Sequence, residues 1–366
     1  MIGRGTPLAA QVDRLNRART ARRVREPFLD ERITLSHGSG GKASHRLIDG
    51  LIIPTLAAAG VPADADSAVL ALPGLAAGRL AFTTDSYVVS PLFFPGGDIG
   101  SLAVHGTIND LAMAGAQPVC LALAFILEEG CETSVLRAVV ESIGNAATAA
   151  GVTVVTGDTK VVPRGKADRM FITTSGVGVV PEGISLSATR VRAGDRVLLS
   201  GPIGDHGIAV MLAREALELE ADIRSDSAPL HCMAVGILHR APTTRVLKDP
   251  TRGGVATSLN EIARQAGVAI QIEERAVPVR AEVRAACEML GLDPLHIANE
   301  GKLLAIVPPH EAEQALDAVR ASPFGHDAAL IGDVIDGPAD MVLLKTEAGG
   351  TRVLDMLVGD PLPRIC

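Results

Sequence analysis

Residues 98–162 read DIGSLAVHGTINDLAMAGAQPVCLALAFILEEGCETSVLRAVVESIGNAATAAGVTVVTGDTKVV, and their periodicity decides the fold. The first part, 98–114, carries a helical pattern, and VCLALAFIL (119–127) is a continuous apolar run of strand length, as expected of a buried strand. Leu136, Val139, Val140, Ile143 and Ala147 then fall on one face of a helix that Gly151 ends, and the strand VTVV follows. Working outward, RLAFTT (79–84) reads as a strand stopping at Asp85; GDTKVVPRGKADR reads as a polar loop and MFITTSGVGVV as a further strand. From about Arg192 the alternation resumes, with a strand in RAGDRVLLSG, a helix from Gly204 to Leu219, a helix after TRGG, the strand VAIQIEE, a helix over 278–290, the strand KLLAIV, a helix over 310–321 and strands near Ala328 and Met341. The pattern predicts an α/β (α+β) chain of two domains with mixed sheets. The expected boundaries are 33–190 and 191–345, flanked by a disordered basic extension (1–32) and a mobile tail (346–366).

Composition narrows the function. The 366 residues are 47% hydrophobic and 21% charged, so a sizeable core is affordable, and acidic residues outnumber basic ones 42 to 34. A formal charge of −8, 2% aromatic residues, one tyrosine (Tyr87) and no tryptophan give neither a basic footprint nor stacking platforms, which argues against nucleic-acid partners. Cys120, Cys131, Cys232, Cys287 and Cys366 have no CxxC spacing, which speaks against a zinc site or disulfide framework and for a reducing, cytoplasmic compartment. No apolar run is long enough to predict a membrane span. The first 25 residues hold seven arginines and a single acid, Asp13; they lack the apolar stretch of a secretory signal and read as a frayed extension.

Carboxylates stand at the ends of apolar runs: Asp66, Asp85, Asp110, Asp158 and Asp249. In open α/β architectures strand ends line the ligand crevice, and convergent carboxylates there suit Mg²⁺ shared with phosphate oxygens; each one taken singly is also an ordinary turn cap. HGSGGK (37–42) lacks the flanking residues of a Walker A loop, yet its successive N–H groups can form an anion nest with Lys42 as a point charge, or simply a flexible turn. DPTRGG (249–254), just ahead of a helix, fits phosphate at a helix N-terminus, against the alternative of an ordinary N-cap. His105 and Asn109, four apart on an apolar helix, either face a cleft or are satisfied in the core. Lys160 and Glu300 form a candidate proton-handling pair if partial burial tunes them, while a solvated Lys160 is the plain alternative. Cys366 stands behind Pro361 and Pro363, a stiffened end able to carry its thiol between sites. From Thr346 the extended chain reaches up to about 66 Å.

Taken together, HGSGGK, FTTDSYVVSPLFFPGGDIG, GTINDLAMAGA, FILEEG, VTGDTKVV, DPTRGG, IANEGKLL and the final PRIC resemble the HypE carbamoyl dehydratases of hydrogenase maturation, in the aminoimidazole ribonucleotide synthetase-like ATP-binding superfamily. The resemblance covers 33–366. It implies a two-domain fold whose N-terminal domains pair into a dimeric β-barrel, with Mg-ATP between the domains. It implies that a carbamoyltransferase, HypF, loads the Cys366 thiol, that ATP-dependent dehydration turns the S-carboxamide into a thiocyanate, and that the cyano group passes to iron on a HypC–HypD complex for nickel-iron hydrogenase. By position it places Asp66, Asp85, Asp110, Asp158 and Asp249 near magnesium and phosphates. Gly38, Ser39, Gly40, Gly41, Lys42, Asp85, Asn109, Asp158, Thr251 and Gly253 match nucleotide-binding positions, and Cys366, Lys160 and Glu300 match the catalytic set. Asp66, in PADADSAV, matches only loosely. The rivals are a selenophosphate synthetase-like or thiamine monophosphate kinase-like enzyme, neither of which explains the terminal cysteine, and a non-catalytic maturation scaffold.

Overall fold

A computed structural model describes residues 27–38, 42–56, 78–215 and 222–357. After a short helix α1 (Lys42–Leu47), strand β1 (Gly78–Tyr87) leads through a small hairpin, β2 (Phe93–Phe94) and β3 (Gly97–Asp98), into helix α2 (Ile99–Met113). Asp98 starts α2 with a capping box: its Oδ1 accepts from the N–H groups of Gly100 (2.7 Å) and Ser101 (3.2 Å), while its own N–H donates to Ser101 Oγ (3.1 Å). Strand β4 (Gln117–Glu128), helix α3 (Thr133–Ala149), β5 (Thr153–Val162) and β6 (Met170–Pro181) complete this half. The sheet order is β1-β6-β4-β5, antiparallel except for β4 and β5, which α3 joins as the crossover that parallel strands require. Leu136, Val139, Val140, Ile143 and Ala147 of α3 are fully buried, as their spacing predicts.

Side chains alternate across this sheet, so its two faces differ. One face packs on α2 and α3. On the other, Leu80 and Phe82 of β1 remain 56% and 67% exposed, and Ile126 of β4 is also exposed. Among the described residues the sheet is open, and no closed barrel is formed within one chain.

The second half is a seven-stranded mixed sheet in the order β13-β12-β9-β11-β7-β10-β8. Its strands are β7 (Arg196–Leu199), β8 (Val246–Lys248), β9 (Ala269–Glu273), β10 (Leu304–Val307), β11 (Ala329–Ile335), β12 (Met341–Lys345) and β13 (Thr351–Val353). The helices are α4 (Asp205–Glu215), α5 (His231–Arg240), α6 (Gly254–Ala266), α7 (Ala281–Leu290) and α8 (Ala312–Arg320). Strand alternation builds two cores: Val197, Leu199, Leu304 and Ile306 pack with α6, while Leu198, Ala305 and Val307 pack with α5 and α8. A third core runs across the halves, joining α2 and α3 to Ile208, Val283 and Ile297.

Four boundaries differ from the sequence reading. Strand β1 continues through Asp85 to Tyr87, because every residue to Tyr87 has a partner on β6. Strand β5 runs straight through the expected loop: Gly157, Asp158 and Lys160 pair with Leu123, Ala124 and Ile126, and Gly157 is there because a Cβ would come within 2.4 Å of the Leu123 carbonyl oxygen. Order begins before Ile33, since Phe28 is buried and stacks edge-on against His37. The segment expected as a mobile tail from 346 starts with structure: β13 pairs with β12, Leu354 is fully buried, and Asn260 Nδ2 donates to its carbonyl (2.9 Å). Helix α5, which has no side-chain cap and contains Gly236, was not anticipated.

Leu354→Ala should therefore cost about 2–5 kcal/mol in urea unfolding, as deletion of a core leucine does, whereas Val353→Ala, at an exposed side chain, should cost far less. Equal effects of the two changes would refute this placement of the boundary.

Candidate active site

Carboxylates from both halves converge on the seam between them. Asp85 lies on β1 opposite Thr174, whose hydroxyl bonds Thr107 of α2, so Asp85 shares the helix-covered face. Asp110 lies in the last turn of α2 and accepts from Thr83 Oγ1 (2.8 Å); Asp249 follows β8; Glu300 precedes β10 and is buried. Burial raises the Asp110 carboxyl above its ordinary range, opposed by the Thr83 bond. Asp249 is pushed up to about 6, first by burial and then by the negative charge of Asp110, with Asp85 adding to it and Lys248 opposing. Glu300 is raised well above the usual carboxylate range by burial and then by Asp249, Asp226, Asp85 and Asp110. Asp249 feels Asp110 and Asp85, and Glu300 feels all three, which places four acids in one electrostatic neighbourhood.

Asp110 and Asp249 line a cleft of about 720 Å³ between β1 with the end of α2 on one side and β8 with α6 on the other. Lys248 also lines it and pairs with Glu261 (2.8 Å). Among the described residues no three acidic, histidine or cysteine side chains are near enough to close a metal site alone. The donor set nevertheless fits magnesium in its usual role, held by one or two carboxylates and completed by phosphate oxygens, because crowded carboxylates gain from a cation.

At the mouth of α6, Gly253 (φ 74°) occupies the cap position and no side chain caps the helix. The Thr251 carbonyl instead accepts from Gly254 N–H (3.0 Å). A Cβ on Gly254 would fall 2.6 Å from the carbonyl oxygens of Leu295 and Ile297, so the second glycine is a close-approach position. The ordinary N-cap reading of DPTRGG finds no side-chain bond here, and the turn directly follows Asp249.

Asp158 and Lys160 stand elsewhere. Both are exposed, 2.9 Å apart, and the Lys160 ammonium holds the Asp158 carboxyl below its ordinary range. Register puts Asp158 in a row with Ala124, Thr173 and Ser86, on the face opposite Asp85. Three strand spacings, about 14 Å, also separate the edges carrying them. The 3₁₀ turn Leu35–Gly38, where the glycine-rich motif begins, packs against the same strand β5. Lys42 opens α1. Ser39, Gly40, Gly41, Asp66 and Cys366 lie outside the described residues.

Asn109 is not a cleft residue. It is buried, with Nδ2 donating to the carbonyls of Ala228 (3.0 Å) and Glu300 (3.2 Å) and Oδ1 accepting from Leu230 N–H (2.8 Å). Its amide is spent on the 222–230 segment and on Glu300. His105 takes the buried alternative too: Nδ1 bonds Ser227 Oγ (3.0 Å). Sequence reasoning missed Asp226, Lys302 and Asn299. Asp226 Oδ1 accepts from Glu300 N–H (3.0 Å), Lys302 Nζ lies 3.1 Å from Asp226 Oδ2, and Asn299 Oδ1 accepts from Gly204 N–H (2.8 Å). The only sequence signal was the polar run NEGK ahead of an apolar strand.

Comparison with known proteins matches both halves to one family. Residues 64–180 fit the AIR synthase related protein N-terminal domain and 192–345 its C-terminal domain. The carbamoyl dehydratase HypE of Azotobacter vinelandii is 56% identical over 334 residues, 91% of this chain and 97% of the relative. The chain belongs to the HypE family. HypE of Escherichia coli K12 is 47% identical over 91% of this chain and 99% of its own length. A crystal structure of HypE in complex with ATP superposes with a TM-score of 0.86 at 49% identity, covering 91% of this chain and 99% of that one. Thiamine monophosphate kinase of Aquifex aeolicus, at 21% identity, TM-score 0.57, and coverage of 76% of this chain and 90% of that one, shares the fold alone. HypE membership thus settles the family within the superfamily. No described helix is long and apolar enough to cross a membrane.

Burial, helped by nearby His231, lowers the His105 imidazole from 6.5 to about 4. The unfolded chain therefore takes up this proton first, and the stability His105 gives is intact above its unfolded value and lost as pH falls through the window between them. That loss is at most about 3 kcal/mol. His105→Asn should flatten the acid limb of stability between pH 6.5 and 4, measured by denaturant unfolding at each pH; an unchanged limb would disprove the assignment.

Proposed function

We propose that this HypE family member uses the seam of carboxylates to bind Mg-ATP and dehydrate a carbamoyl group carried on Cys366. The observation that carries the site assignment is the convergence of Asp85, Asp110, Asp249 and Glu300 beside the uncapped N-terminus of α6. Expelling hydroxide from –S–CO–NH₂ is prohibitive, since water has a pKa of about 15.7. Transfer of the ATP terminal phosphoryl group to the carbonyl oxygen makes phosphate the leaving group, and the bond to oxygen breaks as the C–N bond becomes triple. S-carboxamide plus ATP gives thiocyanate, ADP, phosphate and a proton. Magnesium, when bound, neutralises charge on the phosphates.

The chain's own groups do the rest. Asp85, Asp110 and Asp249 supply oxygen ligands. The N–H groups ahead of α6, with Thr251 and Gly253, face phosphate. Glu300, deep and with raised proton affinity, is suited to take a proton from the carbamoyl nitrogen as the phosphate departs, because buried carboxyls tuned upward work as bases near neutral pH. Because Asp249 titrates near 6, binding of Mg²⁺ competes with its proton and weakens as pH falls below that value.

Asp158 and Lys160 do not reach this seam within one chain, and the exposed face with Leu80 and Phe82 needs cover. A homodimer pairing those faces answers both, with the partner subunit's Asp158 and Lys160 facing the nucleotide. The reading includes carbamoyl loading by HypF, supported by a HypE–HypF complex whose HypE superposes with a TM-score of 0.74 at 48% identity, covering 76% of this chain and 90% of that one. Delivery of the cyano group to a HypC–HypD iron complex completes it. A reducing cytoplasm fits the free thiols of Cys120, Cys131, Cys232 and Cys287.

Intact mass of the terminal peptide tests the chemistry: loading should add about 43 Da, and Mg-ATP should then remove about 18 Da as oxygen leaves with phosphate. Cys366→Ala should show neither step, and Lys160→Ala or Glu300→Gln should stall after the first. A tail that never gains mass would point to a non-catalytic scaffold. Phe82→Glu should separate the dimer in sedimentation and abolish the second step while leaving each chain folded; a monomer that still dehydrates would reject the shared site.

A further inference from the structure

We infer that Asn109 and the Asp226–Lys302 ion pair are positioning residues that hold the Glu300 carboxyl at the reaction site by gripping its backbone from both sides. The inference rests on Glu300 acting in the dehydration, as proposed above. Its N–H is held by Asp226 Oδ1 (3.0 Å) and its carbonyl by Asn109 Nδ2 (3.2 Å). The two grips come from different parts of the chain, since Asn109 belongs to α2 and Asp226 to the segment ahead of α5. Asn109 ties that segment too, through Ala228 and Leu230, so helix, segment and Glu300 form one closed hydrogen-bonded unit. Lys302 locks the unit from below: both partners of its ion pair with Asp226 are over 90% buried, and Nζ also reaches the Gly301 carbonyl (3.3 Å). Gly301 allows the approach, since a Cβ there would fall 1.7 Å from the Asp226 carbonyl oxygen.

A buried ion pair stabilises little by itself, because desolvation cancels most of the attraction, and its better attested use is to fix one arrangement. Here the fixed object is the peptide that carries the buried acid. Each half of the clamp also reaches a different wall of the site: α2 carries Asp110, and Asn299, next to Glu300, bonds Pro250 beside Asp249 (3.0 Å). Loss of either grip would let Glu300 shift relative to both walls without removing any group that meets the nucleotide.

The test uses the full chain, loaded by its carbamoyltransferase, with single-turnover loss of tail mass at saturating Mg-ATP and ATP affinity measured separately. Asn109→Ala and Asp226→Ala/Lys302→Met should slow dehydration roughly 10- to 100-fold while ATP affinity stays within about twofold, the cost of misplacing a reacting group. In a Glu300→Gln background the same changes should add less than about twofold, because residues acting through one group are not additive. Asp226→Asn/Lys302→Met, which keeps the acceptor for Glu300 N–H and removes both charges, should recover most of the rate. This pair of variants differs only in the acceptor, so it carries the comparison if Asn109→Ala fails to fold. ATP affinity weakened about tenfold by Asn109→Ala with an unchanged rate at saturation would make Asn109 a nucleotide residue and overturn the inference. Multiplicative slowing in the Glu300→Gln background would also overturn it. Fast dehydration by Glu300→Gln itself would remove the role of Glu300 and this inference with it, whereas a slow Glu300→Gln beside fast clamp variants would overturn this inference alone.

Discussion

Mutual repulsion among Asp85, Asp110, Asp249 and Glu300 is the constraint around which the molecule is arranged. Four acids lie in one neighbourhood, and burial together with the neighbouring charges raises the proton affinity of Asp249 and Glu300, which costs folding free energy. The shared core of α2 and α3 with Ile208, Val283 and Ile297 holds the two halves against that repulsion. On the proposed reading, a cation arriving with phosphate would relieve this crowding, which would link ligand binding and stability through the same charges.

The sequence made the helices and the buried strand within 98–151 plain, because apolar spacing sets both. Asp110 and Asp249 were legible as acids where an apolar element ends, but the same signal also picked out Asp158, which lies on the other face. The placement of Asp158 and Lys160 was hidden because glycine and charge resemble loop chemistry, whereas on an edge strand an exposed face tolerates both and Gly157 serves close approach. The backbone partners of Asn109 were hidden for a related reason: polarity on an apolar helix signals a partner without saying whether that partner is ligand or backbone. Asp226 and Lys302 lie 76 residues apart, as their numbers show, and no local pattern joins residues that meet only after folding.

The N-terminal sheet divides labour between its faces. The covered face carries Asp85 and Thr83 toward the seam, and the uncovered one carries apolar side chains together with Asp158 and Lys160. Strand periodicity alone produces this separation, since neighbouring residues of one strand point to opposite sides. Under the homodimer proposed above, this separation would make assembly a condition of chemistry, because the uncovered face would meet another copy.

Burial of Leu354 against the second sheet has a consequence for transport of the reactive sulfur. The leash begins at that anchor, and the twelve residues beyond it span at most about 40 Å, well short of what a free end starting at 346 would cover. A shorter tether raises the effective concentration of the thiol at whatever it can touch and forbids distant encounters. On the proposed role of Cys366, donor and acceptor proteins would have to come to rest close to the C-terminal sheet, and the chain length beyond Leu354 would limit the docking geometry of each visitor.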